Sequence, residues 1–324
     1  MLKEWIVHED CAEGTALARE LGTSEIIGQI LWHRGICSPD AAHTFLHPED
    51  MPFHDPLLMM DMEKAALRIQ QAILHGEKIV VYGDYDVDGM TSTALLMKNI
   101  RALGGRVSCY IPNRFTEGYG INQAALQQIA ADGCSLLVSV DCGVASLQAV
   151  AEMREAMDII ITDHHLPGSE LPPAFAVVNP HRADCLYPDK DLAGVGVAFK
   201  LVQALRKIEE NCLWADDLDI AALGTVADLV PLVGENRKIV QMGLARMSEN
   251  PCPGIQALIE VSGLAGKKIN TGMVGFQLAP RLNAAGRLET AGRGVNLLLS
   301  EDTGETVSIA GKLNVLNTER RDLE

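Results

Sequence analysis

The feature that most constrains the fold is a series of short apolar runs that alternate with helical patterns between residues 78 and 178. The clearest runs, at 79–82, 136–140 and 159–162, are mostly β-branched or aliphatic, and shorter ones lie at 107–111 and 176–178. Because polar alternation is lacking, they predict strands buried on both faces, as in a parallel sheet between helices. We therefore predict a doubly wound α/β fold with a mainly parallel sheet, whose ligands bind beyond the carboxyl ends of the strands.

Helical patterns occupy the chain on both sides of this α/β segment. Prolines punctuate the first part, a helical period covers 61–74, and helical patterns return after residue 190. The last 20 or so residues are helical without a stop signal, so we expect the start of a long connecting helix in a fragment of a longer protein. The predicted parts are a helical lead-in at 1–75, an α/β catalytic domain at 76–230, its helical completion at 231–300 and the connecting helix from 301–324.

Composition excludes several classes of protein. The chain has 43 acidic and 27 basic residues, a net charge of −16, which does not suit a protein that coats nucleic acid by charge alone. Aromatic residues make up 4%, too few for a broad base-stacking platform. The eight cysteines form no CxxC pair, and neither a signal-peptide pattern nor a long apolar run is present. We expect a cytoplasmic protein with reduced thiols and no membrane association.

Acidic and imidazole side chains follow three of the predicted strands, and one more acid ends an apolar helix. Because the carboxyl ends of parallel strands lie side by side, these groups should converge on one crevice. Like charges at such short range cannot all remain ionised unless a cation lies among them. The candidate residues are Asp84, Asp86 and Asp88 after the first strand, Asp141 after the third, Asp163, His164 and His165 after the fourth, and Asp228 in the helical part.

Each of these acidic features also has a simpler interpretation. The Asp84-x-Asp86-x-Asp88-Gly pattern resembles the start of an EF-hand, but the twelfth position is Leu95, where that loop requires an acid. A single aspartate at a strand end is often only a helix N-cap, and a His-His pair is often a polar turn. Four such features at successive element ends argue against coincidence. Carboxylates with imidazoles and no thiolate favour Mn²⁺ or Mg²⁺ over structural Zn²⁺, and two such ions would make a phosphoester hydrolysis site.

Three arginines are candidate phosphate ligands. Arg114 follows the second predicted strand and so lies at the same rim, while Arg281 and Arg287 occupy a Gly/Ala-rich segment where backbone can approach a ligand. Guanidinium groups match phosphate oxygens in shape and charge. The alternative for each arginine is a surface salt bridge in an acid-rich chain.

These segments resemble a known family. Residues 82–89, 140–143, 162–165 and 224–228 match, in order, the four motifs of the DHH phosphoesterase superfamily. Further segments at 112–120, 179–182, 193–198 and 281–287 resemble the RecJ family within it. The resemblance runs from about residue 45 to the end of the chain.

The resemblance implies two ions, Mn²⁺ or Mg²⁺, and a role for each site residue. Many DHH enzymes have a histidine where this chain has Tyr82, which leaves open whether Asp84 or Asp86 takes over at the first ion. Arg114, Arg281 and Arg287 would bind substrate phosphate, the last two as part of the catalytic set. The other implied roles are Asp84 and Asp86 on one ion with Asp141 bridging, Asp88, Asp141, His164 and Asp228 on the second, His165 on the scissile phosphate, and Asp163 orienting the imidazoles.

The function implied is exonuclease action on single-stranded DNA from the 5′ end, releasing mononucleotides in repair and recombination, with single-strand-binding protein as a candidate partner. RecJ proteins continue into a DHH-associated domain and an OB-type domain, which hold part of the substrate groove and are expected to be absent here. This chain is therefore expected to bind metal but to degrade DNA weakly. The alternatives are an oligoribonucleotide or cyclic-dinucleotide phosphodiesterase, a pyrophosphatase, or a non-catalytic scaffold with the same fold.

Overall fold

The computed structural model describes residues 7–114, 116–118, 120–208, 213–288 and 291–323. The chain divides after Phe53 into two compact units. The four-part organisation predicted from the sequence stays a prediction. Within the described ranges, no helix is both long and apolar enough to cross a bilayer.

The first unit contains three short helices, each begun by a side chain that accepts a backbone N–H. The capping side chains are Cys11, Ser24 and Ser38, and such caps satisfy the free donors of a first turn. Leu17 and Leu31 form its small core. The helices are α1 (Ala12–Leu21), α2 (Glu25–His33) and α3 (Pro39–Leu46), followed by a 3₁₀ turn over Pro48–Asp50.

The second unit contains a five-stranded sheet in the order β2-β1-β3-β4-β5, in which every pairing is parallel. The strands are β1 (Lys78–Tyr82), β2 (Arg106–Tyr110), β3 (Leu136–Val140), β4 (Asp158–Thr162) and β5 (Ala176–Val178). In the central register Val81 lies opposite Val138, which lies opposite Ile160. The prediction of a doubly wound, parallel α/β fold is confirmed.

Helices surround this sheet and form the rest of the unit, including the helical segment predicted after residue 190. A π-helical turn over Val274–Leu278 joins α12 to α13, and 3₁₀ turns cover Pro56–Leu58 and Leu213–Asp217. The helices are α4 (Met62–Leu74), α5 (Val87–Ala102), α6 (Gln123–Ala131), α7 (Leu147–Met153), α8 (Gly194–Ile208), α9 (Leu218–Ala227), α10 (Gly234–Glu249), α11 (Pro253–Val261), α12 (Thr271–Met273), α13 (Ala279–Leu288), α14 (Gly292–Leu299) and α15 (Thr303–Leu323).

The alternation of side chains along each strand explains the two helical layers. Val80, Leu137 and Ile159 point to one face and share a core with Leu126 of α6 and Val150 of α7. On the other face α5 is buried along most of its length and packs against α8 and α9. The chain reverses its direction of winding between β1 and β3, and such a switch point opens a crevice at the carboxyl ends of the strands.

Candidate metal centre

The loop after β1 supplies the first two acids. Asp84 is buried, and its Oδ1 accepts the backbone N–H of Tyr85 at 2.8 Å. Asp86 is the N-cap of α5, and its Oδ1 accepts the N–H of Gly89 at 3.0 Å. A Cβ on Gly89 would lie 2.5 Å from the carbonyl oxygen of Asp84, so the loop folds this tightly only with glycine there. Local capping thus holds two carboxylates side by side at the strand end.

Asp88 lies two residues further along, in the first turn of α5, and is 2% exposed. Its two oxygens accept the backbone N–H groups of Gly194 at 2.7 Å and Val195 at 2.8 Å, at the start of α8. These N–H groups have no partner inside their own helix, and the positive end of the helix dipole favours a carboxylate there. Sequence reasoning singled out the glycine-rich segment 193–198 but assigned it no role.

Asp141 follows β3 with φ of 59°, a left-handed conformation that is rare for a residue with a side chain, and it is 2% exposed. Gly194 packs directly on it, because a Cβ on that glycine would lie 2.5 Å from Oδ1 of Asp141. Such strained backbone persists where the surrounding structure fixes it, and it concentrates at functional sites. The start of α8 therefore contacts two of the candidate acids.

Asp163 fixes the segment after β4. Its Oδ1 accepts from the backbone N–H of His164 at 2.8 Å and from Nδ1 of His165 at 2.8 Å, and its Oδ2 accepts the N–H of Val144 at 2.9 Å. Asp163 thus orients the ring of His165, while its bond to His164 is to the main chain. Asn179 donates from Nδ2 to the carbonyl of His165 at 2.9 Å, a positioning contact to which the sequence assigned no role.

The side chains from these four segments meet at one place. Nε2 of His164 lies 3.2 Å from Oδ1 of Asp141, 3.7 Å from Oδ2 of Asp228 and 3.9 Å from Oδ2 of Asp88. Three clusters have ligand atoms within 4.8 Å of one another: Asp84, Asp86 and Asp141; Asp88, His164 and Asp228; and Asp141, His164 and His165. Asp141 therefore belongs to the cluster of the β1 loop and to a cluster that contains His164.

The electrostatics of these clusters are unfavourable for the protein alone. Burial first, and the charge of a neighbouring aspartate second, raise the pKa values of Asp84, Asp88 and Asp228 to about 7. The pKa of Asp141 is raised well above its ordinary value for the same reasons. Burial lowers the pKa of His164, which favours the neutral ring that offers a lone pair to a cation. Several acceptors thus face one another where a cation would stabilise them all.

The donor set fits a hard divalent cation. Among the described residues, Oδ1 of Asp141 and Nε2 of His164 are buried without a hydrogen-bond partner, which is costly unless an ion takes that place. Cys142 is buried in the core with its Sγ 3.9 Å from the carbonyl of Tyr82, and it belongs to none of the three clusters. Carboxylates with one or two imidazoles and no thiolate match Mn²⁺ or Mg²⁺.

Tyr82, the last residue of β1, is fully buried. Its ring stacks on Tyr110 at 5.3 Å between centroids, and its hydroxyl donates to the carbonyl of Gly120 at 3.1 Å. The side chain belongs to the core beneath α6 and α7. Asp84 and Asp86 instead share one cluster, so both carboxylates are available at the first ion position.

The three arginines differ in their surroundings. Arg114 is exposed, and its guanidinium carbon lies 5.2 Å from the ring centroid of Tyr85. Tyr85 directly follows Asp84 in the chain. Arg281 donates to Oδ1 of Asn314 on α15 at 3.0 Å and to the carbonyl of Gln277 at 2.6 Å. The side chain of Arg287 lies outside the described residues. The segment 281–287 does reach the acidic loop, because a Cβ on Gly286 would lie 2.3 Å from the carbonyl oxygen of Tyr85. A phosphate-binding role for the three arginines stays a prediction.

Replacing Gly194 with Ala is expected to weaken Mn²⁺ binding by about ten-fold or more, because overpacking costs on the order of 1–3 kcal/mol and displaces Asp141. Calorimetric titration with Mn²⁺ measures this. The matched control is Gly196→Ala in the same helix, where the nearest neighbour is the flexible side chain of Leu192 at 3.2 Å. Equal affinities for the two variants would contradict the packing argument.

The metal-free protein is expected to lose stability as pH rises from about 4 to about 7. Asp84, Asp88 and Asp228 have pKa values near 7 in the fold and about 4 in an unfolded chain. Between these two values the unfolded chain is ionised while the folded state still holds its protons, so the free energy of unfolding falls as the pH rises. Thermal unfolding in a chelator measures this fall. Added Mn²⁺ should raise the melting temperature more at about pH 8 than at about pH 5.5. A pH-independent effect of Mn²⁺ would contradict the assignment of these acids.

The parallel sheet and the joined acid–imidazole clusters lie in a domain of the DHH class, since residues 78–225 match the DHH family, N-terminal domain. A crystal structure of exonuclease RecJ bound to manganese is similar, with a TM-score of 0.78 and 37% sequence identity over 84% of this chain and 69% of that chain. The chain belongs to the RecJ family.

Two further comparisons agree. The single-stranded-DNA-specific exonuclease RecJ of Bacillus subtilis is 46% identical over 309 residues, which are 95% of this chain and 39% of the relative. The structure of RecJ in complex with Mn²⁺ from Thermus thermophilus has a TM-score of 0.83 and 33% identity, covering 96% of this chain and 44% of that one. The chain thus spans less than half the length of either relative.

Proposed function

We propose that this chain is the catalytic part of a metal-dependent phosphodiesterase that digests single-stranded DNA from its 5′ end and releases mononucleotides. A relative at 46% identity is named a single-stranded-DNA-specific exonuclease, and similar structures are complexes with Mn²⁺ and with Mg²⁺. The observation that carries the proposal is the position of Asp141. It contributes both to the cluster with Asp84 and Asp86 and to the cluster with His164 and His165. Two ions that share one carboxylate form the usual centre for phosphodiester hydrolysis.

The first proposed ligand set is one of the clusters, and the second adds Asp141 to the cluster of Asp88, His164 and Asp228. Bound there, two divalent ions would supply positive charge at both the attacking and the leaving oxygen of the phosphodiester. The N–H groups of Gly194 and Val195 hold Asp88 in place, and Gly194 also contacts Asp141, so the acids keep their spacing before any ion binds. One ion would be held by Asp84, Asp86 and Asp141, and the second by Asp88, Asp141, His164 and Asp228.

His165 is proposed to contact the scissile phosphate. Its hydrogen bond to Asp163 raises its pKa and fixes its ring, and its side chain is 46% exposed, so it can reach a substrate oxygen. A protonated imidazole held by a carboxylate would stabilise the negative charge that develops on phosphate. Arg114 and Arg287 are proposed to add positive charge from the rim. Arg281 is likewise proposed to add positive charge. Its hydrogen bond to Asn314 also holds α13 against α15.

The test is Mn²⁺-dependent hydrolysis of single strands labelled at the 5′ or the 3′ end. Early release of the 5′ label as a mononucleotide is expected, whereas early release of the 3′ label would overturn the polarity. Rates should lie below those of a full-length family member, because the chain spans only part of its relatives. Rates equal to the full-length enzyme would refute that expectation.

Two other interpretations of the same fold remain as outcomes of this experiment. Preference for a dinucleotide or cyclic dinucleotide over a 5′-phosphorylated oligonucleotide would indicate the short-substrate class. Failure to bind Mn²⁺ in a calorimetric titration would indicate a scaffold. The complete set of acids and both imidazoles within the clusters supports catalysis over a scaffold.

We further propose that the protein acts in the cytoplasm with single-strand-binding protein as a partner. The described cysteines are all free thiols, as expected of a reducing compartment. A protein that coats single strands would present the substrate that the named relatives cleave. Co-sedimentation with purified single-strand-binding protein, with and without DNA, tests the partnership.

A further inference from the structure

A groove of about 470 Å³ lies next to the chain segment that carries Asp228. One wall is the end of α9 with the residues that follow it, and the other is α12 with the π-helical turn. Ala227 and Leu229, the chain neighbours of Asp228, both line it. A polymer bound at Asp228 would therefore have this groove as an adjoining surface.

Two exposed apolar side chains border the groove, and each lies on unusual backbone. Leu229 is 86% exposed and has φ of 62°, a left-handed conformation that costs a branched side chain free energy. Phe276 is 87% exposed and lies in the π-helical turn, a local irregularity that often marks functional sites. An exposed aromatic ring of this kind can stack on a planar base.

A second groove, of about 510 Å³, continues from the first, since Leu232 and Thr271 line both. Arg237 and Lys268 line this second part. In a chain with a net charge of −16, two cations along one groove complement a phosphate backbone better than a neutral or basic ligand. The grooves therefore present an aromatic ring in the part lined by the chain neighbours of Asp228 and positive charge in the other part.

We propose that the two grooves together bind the unpaired nucleotides next to the scissile phosphate, an inference that rests on the proposed function and extends it to a strand path. We call this surface the strand groove. Phe276 stacks on a base, and Leu229 packs beside it. Single strands expose the base faces that a duplex buries, so the strand groove favours single-stranded substrates. Its defining residues are Leu229, Leu232, Arg237, Lys268, Thr271 and Phe276.

The test compares binding of a labelled oligothymidylate with an abasic strand of the same length, by fluorescence anisotropy. The 324-residue chain carries Asp141→Asn so that hydrolysis does not interfere. We expect about ten-fold tighter binding of the strand with bases, the size of effect that one stacked base gives. Phe276→Ala should abolish that preference and Phe276→Trp should keep it. Lys268→Gln should weaken both strands alike and reduce the salt dependence of affinity by about one phosphate contact.

The matched control is Leu186→Ala, which removes an equally exposed apolar side chain (86%) that does not line either groove. Equal binding of the two strands, or a preference that survives Phe276→Ala, would overturn the strand groove. Nucleotide release by the unsubstituted chain is measured separately. Hydrolysis without a preference for the strand with bases would contradict the strand groove and leave the proposed function standing. A preference for the strand with bases without hydrolysis would contradict the proposed function alone.

Discussion

Replacing Asp141 with Asn is expected to lower Mn²⁺-dependent nucleotide release by about a thousand-fold or more. Asn has nearly the same shape and tolerates the left-handed backbone at this position, where φ is 59°, so the fold should persist. Both clusters lose their shared negative charge, which a second ion would need in order to bind. Because Asn cannot ionise among the neighbouring acids, whereas ionisation of the buried Asp141 is unfavourable, the metal-free variant should also melt at a higher temperature than the unsubstituted protein.

Metal content, melting temperature and nucleotide release are measured on the same preparation. Asp132→Asn is the control, since that aspartate is exposed at the C-terminal end of α6 and lies outside the three clusters. Loss of activity with metal occupancy unchanged would contradict the bridging role. Unchanged activity would remove the two-ion proposal itself.

Replacing Lys200 with Met is expected to destabilise the second unit by ~3–5 kcal/mol, because Glu235 would keep a buried charge without its cation. Both side chains are fully buried, with Nζ of Lys200 at 2.9 Å from Oε1 of Glu235. Lys200 also donates to the carbonyl of His54 at 2.7 Å, and the hydroxyl of Tyr187 donates to Glu235. Urea unfolding measures the change in the free energy of unfolding.

Lys207→Met is the matched control, since it removes a lysine of the same helix whose partner, Asp55, is exposed. An exposed pair contributes about 1 kcal/mol or less, so this variant should stay close to the unsubstituted protein. Adding Glu235→Gln to Lys200→Met should restore part of the stability by removing the unpaired charge. Equal losses from the two lysine variants would show that the buried pair is not the cause.

The sequence was sufficient for the fold class and for the acids because both depend on local patterns. Apolar runs without alternation identified β1, β3 and β4, and the polar residues directly after them had to lie at one edge of a parallel sheet. Asp84, Asp141 and His164 could therefore be brought together without coordinates. The direction of the Tyr82 side chain could not be predicted, because the sequence of a strand buried on both faces does not show which face each side chain takes.

Sequence patterns did not predict the contacts between distant parts of the chain. The N–H groups of Gly194 and Val195 hold Asp88 across 106 and 107 residues, and Lys200 meets Glu235 in the core. The local sequence around these residues does not indicate such contacts, since a glycine-rich helix start or a lysine in an amphipathic helix is compatible with many arrangements. Asp163 likewise turned out to hold the ring of His165 and only the main chain of His164.

By itself, the order of residues determined a parallel α/β unit and the kinds of ligand at its strand ends, because backbone periodicity and side-chain polarity act over a few residues. Only the tertiary structure decided that Asp141 is shared by two clusters, that α8 contacts the acids, and that Leu229 and Phe276 border one groove. Those relations depend on how helices pack across the sheet. Packing sums many weak long-range contacts, and no short segment of sequence encodes it.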